Sequence, residues 1–317
     1  MPTPPLISIL MPMKDAGLFL RACLDSILGQ SEENWELIVV NDHSSDNSGE
    51  ILREFEDPRI RVFENNGQGI IPALRLALSE SAGELVTRMD ADDLMKVGKL
   101  ASMKNDLVRE GRGHVALGLV EYICEGEGFR KYAQWLNVLT REGRNFEEIY
   151  KECVIPSPCW MLWREDLEGC GAFGRDVYPE DYDLCFRFRE RGLKCIACDE
   201  VLHVWRDHPD RASRNDENYA DNRFLDLKLD YFLKFESGGE LLLWGAGRKG
   251  KLLAADLVKR KVDFRWLCNN KKKIGREIGG KVLEDCAVVN SLPDARVIVA
   301  VAGEAQEEID QNYFFFC

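Results

Sequence analysis

Asp90, Asp92 and Asp93 put three carboxylates into four residues, within the stretch Thr87-Arg88-Met89-Asp90-Ala91-Asp92-Asp93. The apolar run just before them, Glu84-Leu85-Val86, reads as the end of a buried strand. The acids therefore fall where the chain leaves a sheet, and packing alone gives no reason for them, because unpaired buried charge is costly. Hard oxygen ligands at a strand's carboxyl end suit Mg2+ or Mn2+ holding a diphosphate. An acidic turn that merely caps the next helix is the plainer alternative. A second acidic pair, Glu180-Asp181, opens a helix carrying Leu184, Phe186 and Phe188 among Arg187, Arg189 and Arg191. Attraction to the helix dipole would by itself explain a carboxylate at Glu180. The loop from Arg206 to Arg214 is basic in an acidic chain, as if to order over a diphosphate as a lid. A solvated loop with internal ion pairs is its rival reading.

The elements that must hold these groups follow from the apolar pattern. Leu6 to Met11 reads as a buried strand stopped by Pro12, and Phe19, Leu20, Cys23, Leu24, Ile27 and Leu28 recur at helical spacing. Glu36 to Val40 is a second strand, with the polar loop Asn41 to Asp46 after it; Ser45 or Asp46 is placed to cap a helix carrying Ile51, Leu52 and Phe55. Ile60 to Phe63 makes a third strand. Asn65-Asn66-Gly67-Gln68-Gly69 turns into a helix running to about Ser81, and Leu85 to Met89 is the fourth strand. Strand and helix alternate, so the sheet should be mostly parallel. Ligands of such sheets bind beyond the carboxyl ends of the strands, the edge that holds Pro12 to Asp15, Asp42 and Asp90 to Asp93.

Composition narrows the class. The chain has 317 residues, 45% of them hydrophobic, which is enough for two domains with their own cores. A formal net charge of -13 argues against nucleic acid as a bulk partner. Eleven cysteines, scattered through apolar runs with no secretory leader, suggest reduced thiols in a cytoplasmic protein. Cys195-Ile196-Ala197-Cys198 has redox-like spacing, but it lies in a strand-like run without a second pair and reads as structural. No apolar segment approaches the roughly 20 residues that cross a bilayer. Peripheral contact with a membrane, and self-association into a homo-oligomer, are left open.

Five blocks stand in order along the first 236 residues: Ile9-Leu10-Met11-Pro12-Met13-Lys14, Val39-Val40-Asn41-Asp42-His43-Ser44-Ser45-Asp46, Arg88-Met89-Asp90-Ala91-Asp92-Asp93, Glu180-Asp181-Tyr182-Asp183-Leu184 and Trp205-Arg206-Asp207-His208. By these blocks and their order, residues 1–236 resemble a family-2 glycosyltransferase of the GT-A fold, an α/β nucleotide-diphospho-sugar transferase fold with a mostly parallel sheet.

The resemblance implies a nucleotide-sugar donor, usually a UDP-sugar, and hexosyl or N-acetylhexosaminyl transfer with inversion to a glycan or lipid-linked acceptor. It further implies that Pro12, Met13, Lys14, Asp15 and Asp42 line the base and ribose pocket, that Asp90 meets the ribose, and that Asp92 ligates Mn2+ or Mg2+. His208, one of only four histidines, is the implied further contact to the metal. Asp181, with Glu180 beside it, is the implied catalytic base. Arg75 and Arg88 point to the same edge, to touch the nucleotide or fix Asp90; a structural ion pair is the alternative for each. Arg206 and Arg211 are the lid's expected donor contacts. The chain departs from the family at Asn41, where an aspartate is usual. The implied setting is bacterial surface polysaccharide synthesis at the inner face of the membrane.

The helix from about Tyr219 to Phe235 is read as packing on the catalytic domain, and Ser237-Gly238-Gly239 as a linker. In residues 237–317, Leu241 to Trp244 leads into Gly245-Ala246-Gly247-Arg248-Lys249-Gly250, a strand, a G-x-G-x-x-G turn and a helix. Strands are expected at Val262 to Leu267 and Ala295 to Val301. The second strand ends in Cys268-Asn269-Asn270, where a dinucleotide site would place an acid for the ribose. A small Rossmann-like accessory domain is therefore favoured over a redox domain. Two rival functions are a nucleotidyltransferase, which lacks its Gly-rich basic loop here, and a non-enzymatic nucleotide-binding module, against which Asp92 and Asp181 speak.

Overall fold

In the computed structural model the described residues are 4–123, 126–155, 157–211, 214, 224–301 and 312–316. Among them the chain divides into two compact units, Met1–Glu147 with Val154–Arg211, and Glu148–Cys153 with Ala212–Cys317. The expected border at 237 thus falls inside the second unit. The helix Phe224–Phe235, expected on the catalytic domain, is grouped with that unit; residues 219–223 of the expected helix lie outside the described residues.

The first unit starts with β1 (Ile7–Met13), α1 (Gly17–Leu28), β2 (Trp35–Asn41), α2 (Ser48–Arg53), β3 (Ile60–Glu64), α3 (Ile70–Glu80) and β4 (Leu85–Arg88). It goes on through β5 (Leu94–Met95), α4 (Lys99–Glu110), β6 (His114–Ile123), α5 (Glu127–Glu142), β7 (Trp160–Trp163), α6 (Arg164–Gly169), α7 (Glu180–Arg191) and β8 (Lys194–Arg206). These strands make one eight-stranded sheet in the order β3-β2-β1-β4-β7-β6-β8-β5. It is the mixed, mostly parallel α/β sheet expected, with β7 and β5 running against their neighbours. The strands are apolar on both faces because helices cover both; Ile9, Met11, Leu24, Val39 and Met161 belong to one fully buried cluster.

Pro12 does not stop β1, which runs on to Met13. In a parallel strand alternate residues bond to alternate neighbours. Leu10 faces β4, its carbonyl accepting Met89 N–H, so Pro12 faces the same side. The β4 ladder ends with Arg88 opposite Leu10, and no partner there needs the N–H that proline lacks. Met13 faces the other way and accepts Asp42 N–H from beyond β2.

One pairing sets the site. β5 follows directly on the acidic turn and runs antiparallel to the end of β8, with Leu94 opposite Val204 and Met95 opposite His203. Going backward from Leu94 therefore means going forward past Val204, which brings Asp93 and Asp92 to Trp205 and Arg206, with His208 just beyond.

The second unit has a six-stranded sheet of β9 (Leu241–Trp244), β10 (Arg265–Cys268), β11 (Glu277–Ile278), β12 (Lys281–Asp285), β13 (Arg296–Val299) and β14 (Tyr313–Phe315), in the order β11-β12-β10-β9-β13-β14. All its pairs but β11 with β12 are parallel, as a Rossmann-like unit requires. The glycine turn leads from β9 into the helix Arg248–Lys259. A Cβ at Gly250 would lie 2.0 Å from the Gly245 carbonyl, so that glycine serves helix-to-strand packing.

Candidate active site

The acidic turn and the end of β8 form one network. His208 Nε2 lies 3.0 Å from Asp92 Oδ2. Arg206 donates its guanidinium to the Asp92 carbonyl at 2.6 Å and to the Phe19 carbonyl at 2.9 Å. Asp93, fully buried, accepts Arg206 N–H and Arg211 Nη1, each at 3.0 Å. Phe19 from α1 completes the wall, its ring 4.4 Å from that of His208. Arg206 and Arg211, expected to reach the donor, are thus turned onto the acidic turn itself; residues 212–213 of the expected lid lie outside the described residues.

On the other side of the turn, Arg88 is buried between two carboxylates, 2.8 Å from Asp90 Oδ1 and 2.7 Å from Glu180 Oε1. The contact with Asp90 corresponds to the fixing role expected for Arg88, and the contact with Glu180 to its ion-pair alternative. Glu180 and Asp181 begin α7, and the Asp181 carboxylate also accepts Tyr182 N–H at 2.7 Å. Dry surroundings, and then the charge of Glu180, push the Asp181 carboxyl up to about 7. Burial likewise raises Asp90, with Arg88 working against it. Arg187 anchors α7 from within, bonding Asp183 at 2.7 Å and the Cys170 and Ala172 carbonyls at 2.6 Å.

The residues expected to line the base pocket gather after β1 and β2. Buried Asp42 accepts Asn65 Nδ2 at 2.6 Å and Gly69 N–H at 3.0 Å, with Lys14 Nζ 3.9 Å away. Asp42 therefore shapes the Asn65–Gly69 loop. Asp15 accepts Ser45 N–H at 2.7 Å, and its own N–H donates to Ser44 Oγ at 3.0 Å, tying Pro12 to Asp15 against the loop after β2. Asn41, where the family usually has an acid, donates to Glu64 at 2.9 Å, a bond that an aspartate would turn into repulsion. Arg75 bonds the Phe173 carbonyl at 2.6 Å and Asp176 at 2.7 Å, the contact expected of its ion-pair alternative.

The implied divalent metal can be tested against these atoms. In an octahedron with bonds of about 2.1 Å, neighbouring ligands stand about 3 Å apart. Asp92 Oδ2 and His208 Nε2 have that 3.0 Å separation. Among the described residues no group of three or more His, Cys, Asp or Glu side chains converges on one point, so the other ligands would come from a diphosphate and water. The pair fits Mg2+ or Mn2+ bound together with a phosphorylated substrate.

Cys195 and Cys198 lie in β8 as free thiols. Burial pushes Cys195 up to about 12, the opposite of what a redox thiol needs. Asn65, Lys99 and His203 were missed from sequence. His203 alone left a signal, a histidine inside the apolar run Val201 to Trp205. Among the described residues no helix is long and apolar enough to cross a membrane.

Comparison with known proteins places this geometry. The model for "Glycosyl transferase family 2" matches residues 8–171. The Escherichia coli UDP-Glc:alpha-D-GlcNAc-diphosphoundecaprenol beta-1,3-glucosyltransferase WfgD is 38% identical over 225 residues, which cover 70% of this chain and 83% of WfgD. Glycosyltransferase GlyG of Streptococcus pneumoniae serotype 4 is 36% identical over 216 residues, 63% of this chain and 70% of GlyG. GlyA of the same organism is 36% identical over 124 residues, 38% of this chain but only 18% of GlyA. Among solved structures, S. aureus TarS 1-349 in complex with UDP superposes with a TM-score of 0.54 at 16% identity, covering 80% of this chain and 70% of that one. Mannosyltransferase PcManGT from Pyrobaculum calidifontis, in complex with GDP-Man and Mn2+, gives 0.55 at 19% identity, covering 80% and 69%. At such identities these two structures speak to the fold alone.

Proposed function

This chain belongs to glycosyl transferase family 2, and from that premise we propose that it moves a sugar with inversion from a UDP-sugar to a hydroxyl of a glycan or lipid-linked acceptor, assisted by a divalent cation. The observation that carries the reading is the buried Arg88 guanidinium, which joins Asp90 of the acidic turn to Glu180 beside Asp181. A donor-holding turn and a base-bearing helix start are thereby fixed to one another. Family membership also sets aside the nucleotidyltransferase and the non-enzymatic module.

In the proposed reaction the acceptor oxygen attacks the anomeric carbon from the face opposite the diphosphate. Its proton passes to the Asp181 carboxylate. The bond from the anomeric carbon to the diphosphate oxygen breaks, and its electron pair leaves with the nucleotide. Asp92 and His208 would hold the cation, which when bound offsets the charge gathering on the leaving group. Asp90 orients the ribose, with Arg88 holding its carboxylate. Pro12 to Asp15 and the loop shaped by Asp42 receive the base. WfgD, named for a diphosphoundecaprenol-linked acceptor, and the putative teichuronic acid biosynthesis glycosyltransferase TuaG of Bacillus subtilis support a place in bacterial surface polysaccharide synthesis, and work at the inner face of the membrane is part of the proposal. The C-terminal domain is read as an accessory, interaction or acceptor-orienting module. A donor screen reading released nucleoside diphosphate, with and without Mn2+, tests the proposal. Release from no UDP-sugar in the presence of Mn2+ and a lipid-linked saccharide would refute it.

A further inference from the structure

The acidic turn holds one acid more than the proposed chemistry uses. Asp93 is fully buried, and protein donors surround its carboxylate. Oδ1 takes Arg206 N–H and Arg211 Nη1 at 3.0 Å each; Oδ2 lies 3.2 Å from His203 Nε2 and 3.4 Å from Arg211 Nη2. Behind it, Lys99 Nζ stands 3.3 Å from His203 Nδ1 and 2.8 Å from the Pro158 carbonyl, with Lys99 and His203 both fully buried. With Lys99 as an ammonium, which only donates, Nδ1 of His203 accepts and its proton sits on Nε2, aimed at Asp93.

We propose that Asp93 is a positioning residue: it touches neither donor nor cation, and it fastens the 206–211 segment so that His208 faces Asp92. The inference rests on the reading of His208 and Asp92 as the cation's protein ligands. The two residues that Asp93 grips, Arg206 and Arg211, flank His208 on either side. Arg211 Nη1 also closes back on the Arg206 carbonyl at 2.7 Å, and its backbone N–H bonds the His208 carbonyl at 3.2 Å. The segment is a loop drawn shut on one carboxylate. The His208 ring rests on Phe19 with Nε2 turned to Asp92. Asp93, His203 and Lys99 thus act on the cation site as groups behind its ligands, a position whose loss typically weakens metal binding about 10- to 100-fold.

Charge gives a sign by which positioning can be told from simple electrostatics. Arg211 Nη1 is 3.8 Å from Asp92 Oδ2, so by charge alone its removal would strengthen binding of a cation there. Positioning requires the opposite. The experiment is a titration of Mn2+ into the full chain with UDP present, free Mn2+ being followed by its paramagnetic resonance signal. Arg211→Ala and Asp93→Asn should each weaken Mn2+ binding about 10-fold or more, and in a His208→Ala background neither should add more than about twofold. Wild-type or tighter binding in Arg211→Ala overturns the proposal, and so does a full additional loss on top of His208→Ala. If Asp93→Asn does not fold, Arg211→Ala decides alone. If His208→Ala itself binds Mn2+ like wild type, the assignment of His208 as a ligand fails and takes this inference with it. Additivity on top of an impaired His208→Ala sinks the fastening role and leaves the ligand assignment standing.

Discussion

Arg88 and Glu180 stand 92 residues apart in sequence and 2.7 Å apart in the fold, both buried. The same guanidinium holds Asp90 at 2.8 Å. Removing it would strand the buried Glu180 carboxylate and leave the half-buried Asp90 without its ion pair, whereas Glu180→Gln keeps an oxygen to accept from Arg88. Arg88→Leu should therefore cost about 3–5 kcal/mol in urea unfolding. Glu180→Gln should cost about 1 kcal/mol. Equal losses from the two would show that the buried pair is not what ties α7 to the acidic turn.

The raised carboxyl of Asp181, at about 7, makes a claim about pH with a definite sign. A base works ionised, so kcat/KM should climb as pH rises through about 7. Stability runs the other way. The folded carboxyl holds its proton more tightly than the unfolded one, whose pKa is about 3.9. Its contribution is fully present below pH about 4 and is lost as pH rises through about 7. Asp181→Asn should thus match or exceed wild-type stability at alkaline pH, while turnover falls about 10²- to 10⁴-fold and donor affinity holds. A pH–rate profile with no acidic limb near 7 would assign the base elsewhere.

How far these relations could be read from sequence depends on their range. β1 to β4 were legible because apolar runs, polar loops and helical spacing are local signals, and the misread end of β1 at Pro12 turned on which neighbour that residue faces. Asp92 and His208 stood out by motif. Asp93 was seen as one more acid, since its role depends on β5 pairing with β8 across 110 residues. Lys99 carries no local sign of burial in the sequence, and only the fold encloses it. Arg75 shows the converse: its type and place suggested an anion, and only the fold sets the Asp176 carboxylate beside it. The border at 237 rested on the local signal Ser237-Gly238-Gly239, whereas the grouping of Glu148–Cys153 and the helix Phe224–Phe235 with the second unit depends on contacts between distant segments.

The proposed divalent-metal dependence rests on Asp92 and His208, 3.0 Å apart, as the cation's protein ligands. Asp92→Ala should abolish metal-dependent donor binding and leave the fold intact, since Asp92 is half-buried and the turn is held by Asp93. Calorimetry with UDP plus Mn2+, repeated in excess chelator, reads both effects. Full turnover with all divalent cation chelated would refute the dependence.

The glycine turn of the second unit is predicted to serve packing and not a dinucleotide. Gly250 lies so close to the Gly245 carbonyl that a methyl group would collide with backbone at 2.0 Å, and backbone cannot swing aside as a side chain can. After β10, where a dinucleotide site would offer an acid to the ribose, Asn269 accepts instead from the Trp244 indole N–H. The Gly245 carbonyl is itself occupied by the Trp266 indole at 2.7 Å, and Lys273 Nζ closes on the Ala246 carbonyl at 3.1 Å. These bonds hold the turn in shape with no ligand. Gly250→Ala should therefore destabilise the protein by about 1–3 kcal/mol or more, as overpacking does, without first abolishing any NAD affinity. Titration of the full chain with NAD or NADP should give affinities weaker than about 100 μM. Micromolar binding that Gly250→Ala removes while the fold survives would make the turn a dinucleotide site after all.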